Sequence, residues 1–383
     1  MKHVPPARAH FDPALNAWVL TQYADVLAAL RETRLCQIAP QSKGEIGIRN
    51  ESRRLHKRAE VRAALSPSLL LEWHRQIKIL ADSTIDLLAA DHSIDLVHDF
   101  IRPWCLAITV LVTATDPVRG QQLADLARDL PGGEAECHNS ALRSRVVAVA
   151  SELRNGFRSG AMPVCKSAFR TMSRTLQYST ASVSLGLRRR LANVQFESLL
   201  KKGTKLNKSV FLGTSQTLPA FLSNAWLALL RHPTEYARLR ADPYLMPKAI
   251  EELLRYANIV HTLLRQATAD LELGGMFIRR GERVILKLDA ANRDPAQFSE
   301  PDSLDLHRRL TSKVVLGAGP HSCLGASIVR IAVSTATRAF IQNFAQAKLC
   351  GTVEWHTDPM VCFPVSLNAQ LRRSALDNNF DEH

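Results

Sequence analysis

The 383-residue sequence has no uninterrupted apolar run close to bilayer length. Its longest runs, such as Cys105-Leu-Ala-Ile-Thr-Val-Leu-Val112, fall well short of the ~20 residues a spanning helix needs. The opening Met-Lys-His-Val-Pro-Pro-Ala-Arg has no apolar signal segment, so the expectation is a cytoplasmic protein without a membrane anchor. There is no C-x-x-C pair among the seven cysteines, and the odd count argues against a closed disulfide framework. A net charge of +13 raises a nucleic-acid surface, but no zinc-finger spacing, basic zipper or helix-turn-helix pattern accompanies it. A solvated basic surface is the plainer reading, and an acidic protein partner lies between the two.

What the chain does have is a hydrophobic fraction of 46%, enough for a sizeable core, and one stretch that calls for chemistry. Leu316-Gly-Ala-Gly319-Pro-His321-Ser-Cys323-Leu-Gly325 packs three glycines and a proline ahead of the helix-forming run Ala326 to Val333. Cys323 is therefore expected on a tight loop feeding a helix N-terminus. Unpaired N–H groups and the helix dipole there favour a thiolate, as for a metal-bound or reactive cysteine.

The chain opens with a hairpin turning at Pro13 to Asn16, whose second strand is 18–22, and a helix entered near Asp25. Residues 36–50 read as a polar loop and 52–65 as a helix stopped at Ser66-Pro67. Arg54 and Arg58 lie four apart on that helix, where they either grip an anion together or form a solvated basic face. Amphipathic helices follow over 69–129, broken at Pro103 and Pro117, and 130–209 read as short helices and loops. Glu136-Cys137-His138 is a weak metal candidate, because adjacent residues seldom converge on one ion.

Residues 210–230 form a long helix, apolar on all sides, that should cross the core. The cluster Gly213-Thr-Ser-Gln-Thr217 before Pro219 marks either a ligand site or a simple proline kink. Glu252 and Arg255 can pair on the next helix, and short glycine-punctuated strands follow to residue 288, then a turn at Asn292-Arg-Asp-Pro295. Strands are thus expected near the N-terminus and between 260 and 290.

Four landmarks in one order resemble the soluble bacterial cytochromes P450: the 213–217 cluster, Glu252-x-x-Arg255, Asn292-Arg-Asp-Pro295 and Gly319-x-His321-x-Cys323-x-Gly325. The resemblance implies a mainly α fold with a minor β region, one domain over 1–383, and a heme b (iron protoporphyrin IX) between the core-crossing helix and the cysteine loop. It implies that Cys323 ligates the iron, with Gly319, Gly325 and Leu316 shaping the loop. His321, Arg265, Arg58 and Arg54 would meet the propionates, which favours the anion-gripping reading of the 52–65 helix. Thr217 matches the threonine that helps deliver protons to O2, and Glu252 with Arg255 would be a structural pair.

The pattern is also broken in places. Gln216 stands where the family usually has an acid, and an amide cannot relay protons as a carboxylate does. Gly213 and Thr214 replace alanine and glycine, Leu316 replaces phenylalanine, and Ser303 replaces a basic residue for which Arg308 can substitute. The N-terminal helix of the family is shortened or absent, and 376–383 read as a flexible tail.

By resemblance, the chain is a monomeric monooxygenase acting on a lipophilic small molecule. Electrons come from NAD(P)H through an external ferredoxin or flavodoxin with its reductase, received near Arg308, Arg309 and Lys313. The substrate pocket would draw on 212–220, 259–264 and 360–365, together with the loop after Cys36 and parts of 130–209. Gln216 motivates an alternative, peroxide-driven oxidation, coupling or rearrangement. A ligand sensor without turnover is a third.

Overall fold

The computed structural model describes residues 9–37, 45–86, 88, 93–113, 208–309, 314–357 and 360–374. The Glu136-Cys137-His138 candidate, Pro117, Lys313, the 376–383 tail and almost all of 130–209 lie outside them.

The N-terminal hairpin is present: β1 (His10–Asp12) pairs antiparallel with β2 (Ala17–Leu20), and the turn carries Asn16 at φ 47°, a left-handed conformation that asparagine tolerates. Helix α1 (Tyr23–Arg31) follows with Asp25 in its first turn, and β3 spans Leu35–Gln37. Helix α2 runs over Glu45–Ala64, so the expected polar loop at 36–50 is instead a strand end and two helical turns at its two extremities. Ser66 then caps α3 (Pro67–Ile85), its hydroxyl accepting from the Leu69 N–H at 3.3 Å with Pro67 in the first turn, where no N–H is needed.

After β4 (Ser93–Asp95), a π-helical turn at Val97–Ile101 flows into Arg102–Thr113, together α4. The expected break at Pro103 does not occur. The widened turn just before it, together with its place at the start of the α-helical segment, relaxes the hydrogen-bond pattern where the ring lacks an N–H.

The long helix α5 covers 208–231 as Lys208–Leu212, a π turn at Gly213–Thr217, and Leu218–Arg231. Its core face centres on Trp226, stacked between Phe100 of α4 at 5.1 Å and, 4.2 Å away, Phe340 of a helix described below. The Trp226 indole N–H donates to the Thr337 hydroxyl at 3.2 Å. Helices α6 (Pro233–Ala241) and α7 (Met246–Tyr256) continue the helical layer.

Strands β5 (Thr262–Ala267), β6 (Leu271–Leu273), β7 (Met276–Ile278) and β8 (Arg283–Lys287) follow, then a short α8 (Leu288–Ala291). One five-stranded sheet runs β1-β2-β8-β5-β3, with β2 and β8 parallel and the other pairs antiparallel. In it Gln37 is opposite Arg265, which brings the end of β3 and the start of α2 beside β5.

Helix α9 (Ala326–Asn343) follows the cysteine loop and supplies Thr337 and Phe340. Four further strands, β9 (Phe344–Leu349), β10 (Glu354–Thr357), β11 (Cys362–Ser366) and β12 (Asn368–Arg373), correct the expectation that strands are confined to the N-terminus and 260–290. β12 lies between β4 and β9, and β10 pairs with β11. The proportions are nonetheless mainly α with a minor β component, built around a large helical core and a smaller core under the five-stranded sheet.

Candidate functional site

Cys323 sits where the glycine pattern places it. Its N–H donates to the Leu316 carbonyl at 2.7 Å, closing the loop, and α9 begins three residues later with Gly325 as N-cap. Leu316 is half-buried against the helical core. Gly319 adopts φ +66°, and a β-carbon there would lie 2.7 Å from the Leu30 carbonyl oxygen and 2.8 Å from the Arg31 Cα. The glycine is thus demanded by the loop pressing on the end of α1.

The Cys323 side chain is exposed, yet burial among surrounding protein atoms pushes its thiol pKa up. The side chain is thus crowded by protein atoms without being sealed from solvent. The Gly325 N–H and the charges of Arg58 and Arg330 work in the opposite direction but do not win. The expectation of a ready-made thiolate is therefore corrected. Desolvation outweighs the helix N-terminus, so the free chain holds a thiol, and a metal would have to supply the charge that removes its proton.

The basic residues converge beside this loop. Arg58 donates Nε to the Pro320 carbonyl at 3.1 Å and also reaches the Ser322 carbonyl, so it straps the loop on both sides of His321. Arg54 reaches Gln37 and stands 3.7 Å from Glu51. Arg265 is 4% exposed, and burial pushes its pKa down to about 10. Among the described residues it has no carboxylate within ion-pair distance; its guanidinium donates to its neighbour Leu264's carbonyl at 2.9 Å. His321 Nε2 lies 3.0 Å from Glu51 Oε1.

Glu51 was not among the sequence candidates. The signal was present, since it precedes Arg54 by three positions and Arg58 by seven, hence shares their helix face.

On α7, Glu252 and Arg255 are 0% and 3% exposed. Arg255 grips both carboxylate oxygens at 2.7 and 2.8 Å and donates to the Asn292 and Pro301 carbonyls at 2.8 and 2.7 Å. Arg308 Nε reaches the same carboxylate at 3.1 Å, so it does complete the network that Ser303 cannot. That engagement removes Arg308 from the set of surface cations expected to meet a partner; Arg309 is exposed.

On α5 the irregularity is real: the π turn coincides with Gly213–Thr217. Thr214 is buried and returns its hydroxyl to the Val210 and Phe211 carbonyls at 2.9 and 3.2 Å. Ser215 keeps a buried hydroxyl without a partner among the described residues. Gln216 is half-buried, and Thr217 is exposed although Leu218, Pro219 and Ala220 beyond it are buried. A β-carbon on Gly213 would meet nothing within 4 Å. Among the described residues this turn is therefore loosely surrounded, within an otherwise packed helix.

Two of the expected pocket segments meet here as well. Val260 bridges Val361, the His261 N–H donates to the Met360 carbonyl at 2.7 Å, and Asn224 of α5 ties to the Cys362 carbonyl at 3.0 Å. A separate apolar groove of about 550 Å³, lined by residues including His74, Ile250, Thr335 and Arg338, lies between α3, α7 and α9; of the site residues named above it includes Arg330 but neither Cys323 nor the π turn.

Residues 210–364, which hold both the π turn and the cysteine loop, match the family model for cytochrome P450. Over this segment the chain is similar to the cytochrome P450 family. A versatile cytochrome P450 enzyme from Bacillus subtilis superposes with a TM-score of 0.70 over 95% of each chain at 22% identity, a likeness of fold. Among sequence relatives, the 20-oxo-5-O-mycaminosyltylactone 23-monooxygenase of Streptomyces fradiae is 42% identical over 128 residues, 33% of this chain and 30% of that protein. The match thus spans less than a third of that relative's length. A Bacillus subtilis chain named as cytochrome P450 YjiB is 27% identical over 346 residues, 88% of this chain and 84% of its own. Among the described residues, no helix is long and apolar enough to cross a membrane.

The residues present fit the heme that this P450 family implies. A sulfur not sealed from solvent supplies an axial ligand, and a buried guanidinium without a carboxylate partner is suited to an anionic group.

Proposed function

We propose that this cytochrome P450 is a single-domain heme-thiolate monooxygenase that oxidises a lipophilic small molecule, using electrons from an external ferredoxin or flavodoxin fed by NAD(P)H. The observation that carries this reading is Cys323, held on a fixed loop and open to solvent. In this reading Cys323 ligates iron, while Arg265, Arg54 and His321 receive the propionates. Arg58 holds the loop backbone through the Pro320 and Ser322 carbonyls, so the sulfur stays aimed. When bound, a thiolate-ligated heme supplies activation of O2 by pushing electron density that favours O–O cleavage.

The remaining roles belong to protein groups. Thr217, exposed in the π turn, would hold and pass protons through its hydroxyl. Gln216 can orient water but has no acidic proton to give. Val260, Leu263, Val361 and Phe363 would exclude water around an apolar substrate. The mycaminosyltylactone relative supports a bulky lipophilic product of secondary metabolism as the substrate class.

Gln216 also favours a second reading, in which peroxide drives the oxidation and O2 with a redox partner does not. The test supplies the purified holoprotein with ferredoxin, reductase, NADPH and air, or with peroxide alone, and follows oxidation of apolar probe compounds. Product from the first mixture supports the monooxygenase. Product only from peroxide selects the second reading, and binding without product from either leaves a ligand-binding protein.

A further inference from the structure

Glu51 is 8% exposed and stands among the cations that the proposed function assigns to the heme propionates. Its Oε1 lies 3.0 Å from His321 Nε2 and the other oxygen 3.7 Å from Arg54 Nη1, while the charge of Arg265 also reaches it. Burial works against the carboxylate charge, but the His321 contact and the charges of His321, Arg54 and Arg265 more than offset it and hold its pKa below the usual carboxylate range. Neither carboxylate oxygen makes a well-aligned hydrogen bond. A buried carboxylate so placed is retained by charge attraction instead of by directed hydrogen bonds, and a better-aligned anion could take its partners.

From this we infer that Glu51 is a built-in surrogate for a heme propionate: it occupies His321 and Arg54 and competes with the incoming carboxylate for them. The inference rests on the heme-thiolate reading. Its consequence is a trade between two states. The carboxylate supports the cation cluster when heme is absent and repels the propionate when heme arrives, so removing its charge strengthens heme binding on both counts. A merely supportive Glu51, holding His321 in place for heme, predicts the opposite sign.

The test titrates purified heme-free protein with hemin and with hemin dimethyl ester, whose propionates carry no charge. Glu51→Gln is expected to bind hemin roughly tenfold more tightly than wild type, the scale of removing one close like charge, and to show no such gain with the ester. In the absence of heme the same variant should unfold at lower urea concentration. Glu51→Asp keeps the charge but draws it back, so its hemin affinity falls between the two; it serves alone if the Gln variant does not fold. Unchanged or weaker hemin binding by Glu51→Gln, or an equal gain with the ester, overturns the inference. Failure of the wild-type chain to bind hemin through Cys323 overturns the heme-thiolate reading itself, an outcome read from the wild-type spectrum before any variant is compared.

Discussion

A β-carbon added to Gly319 would press within 2.7 Å of the Leu30 carbonyl oxygen, whereas one added to Gly213 would meet nothing within 4 Å. The cysteine loop and the π turn of α5 are thus built differently. The loop is over-determined: pressed on α1, closed by Cys323 N–H to Leu316, strapped by Arg58 and preceded in the chain by the 299–308 segment that the Glu252–Arg255–Arg308 network anchors. The π turn keeps a weakened backbone pattern and, among the described residues, a partnerless Ser215 hydroxyl and few neighbours around Gly213. A ligand sulfur has to be held still, while a face that admits different molecules needs room. Rigidity on one side and under-filling on the other are what a fixed cofactor and an exchangeable substrate require.

The largest effect should come from undoing the network that anchors the segment ahead of the loop. Glu252→Gln leaves Arg255, 3% exposed, and Arg308 facing a neutral amide, and the loss of a buried ion-pair partner costs about 3–5 kcal/mol. Urea denaturation would show it, and an unchanged midpoint would mean that the network is not structural. Next, the same glycine-to-alanine change separates the two regions. Gly319→Ala should destabilise by roughly 2–5 kcal/mol, combining left-handed strain with overpacking against α1.

Gly213→Ala should instead fall within about 1 kcal/mol of wild type, on the stabilising side expected of alanine in a helix, while altering the affinity of apolar ligands. Equal losses for the two variants would break the comparison.

The smallest effect concerns the thiol. Because burial raises the Cys323 pKa, its protonated form persists above the ordinary thiol range in the heme-free chain. Alkylation of Cys323 near neutral pH should therefore be slower than that of a free cysteine despite its exposure, and should accelerate only at higher pH. Mass spectrometry of iodoacetamide-treated protein reads this directly, and faster-than-free labelling at neutral pH would contradict it.

Which features were legible in the sequence follows the same division. The loop could be read because its constraints are local: glycines and a proline at fixed offsets before a helix-forming run leave few conformations. The irregular turn was legible for a similar reason, since small and hydroxyl residues before Pro219 weaken a helix wherever it lies. Arg308 was anticipated because Ser303 left a basic position to fill.

Glu51 was not read, because its meaning depends on β5 bringing Arg265 beside α2 and on the loop bringing His321, contacts far apart in sequence. The raised Cys323 pKa was misjudged for a related reason: the helix N-terminus is a local signal, whereas desolvation is a property of the assembled site. Strands β9 to β12 escaped for a reason that the structure does not single out: β12 pairs with distant β4, but β10 and β11 are close neighbours in the chain. Pro103 misled because a π turn can place a proline inside a helix at little cost.

The proposed iron ligand is Cys323. The ferrous-CO absorption spectrum of the purified holoprotein tests this most directly. Ligation by Cys323 predicts a strongly red-shifted Soret band in the wild-type protein and its loss in Cys323→Ser; an unshifted band in the wild type, or a shifted band that survives in Cys323→Ser, would contradict it.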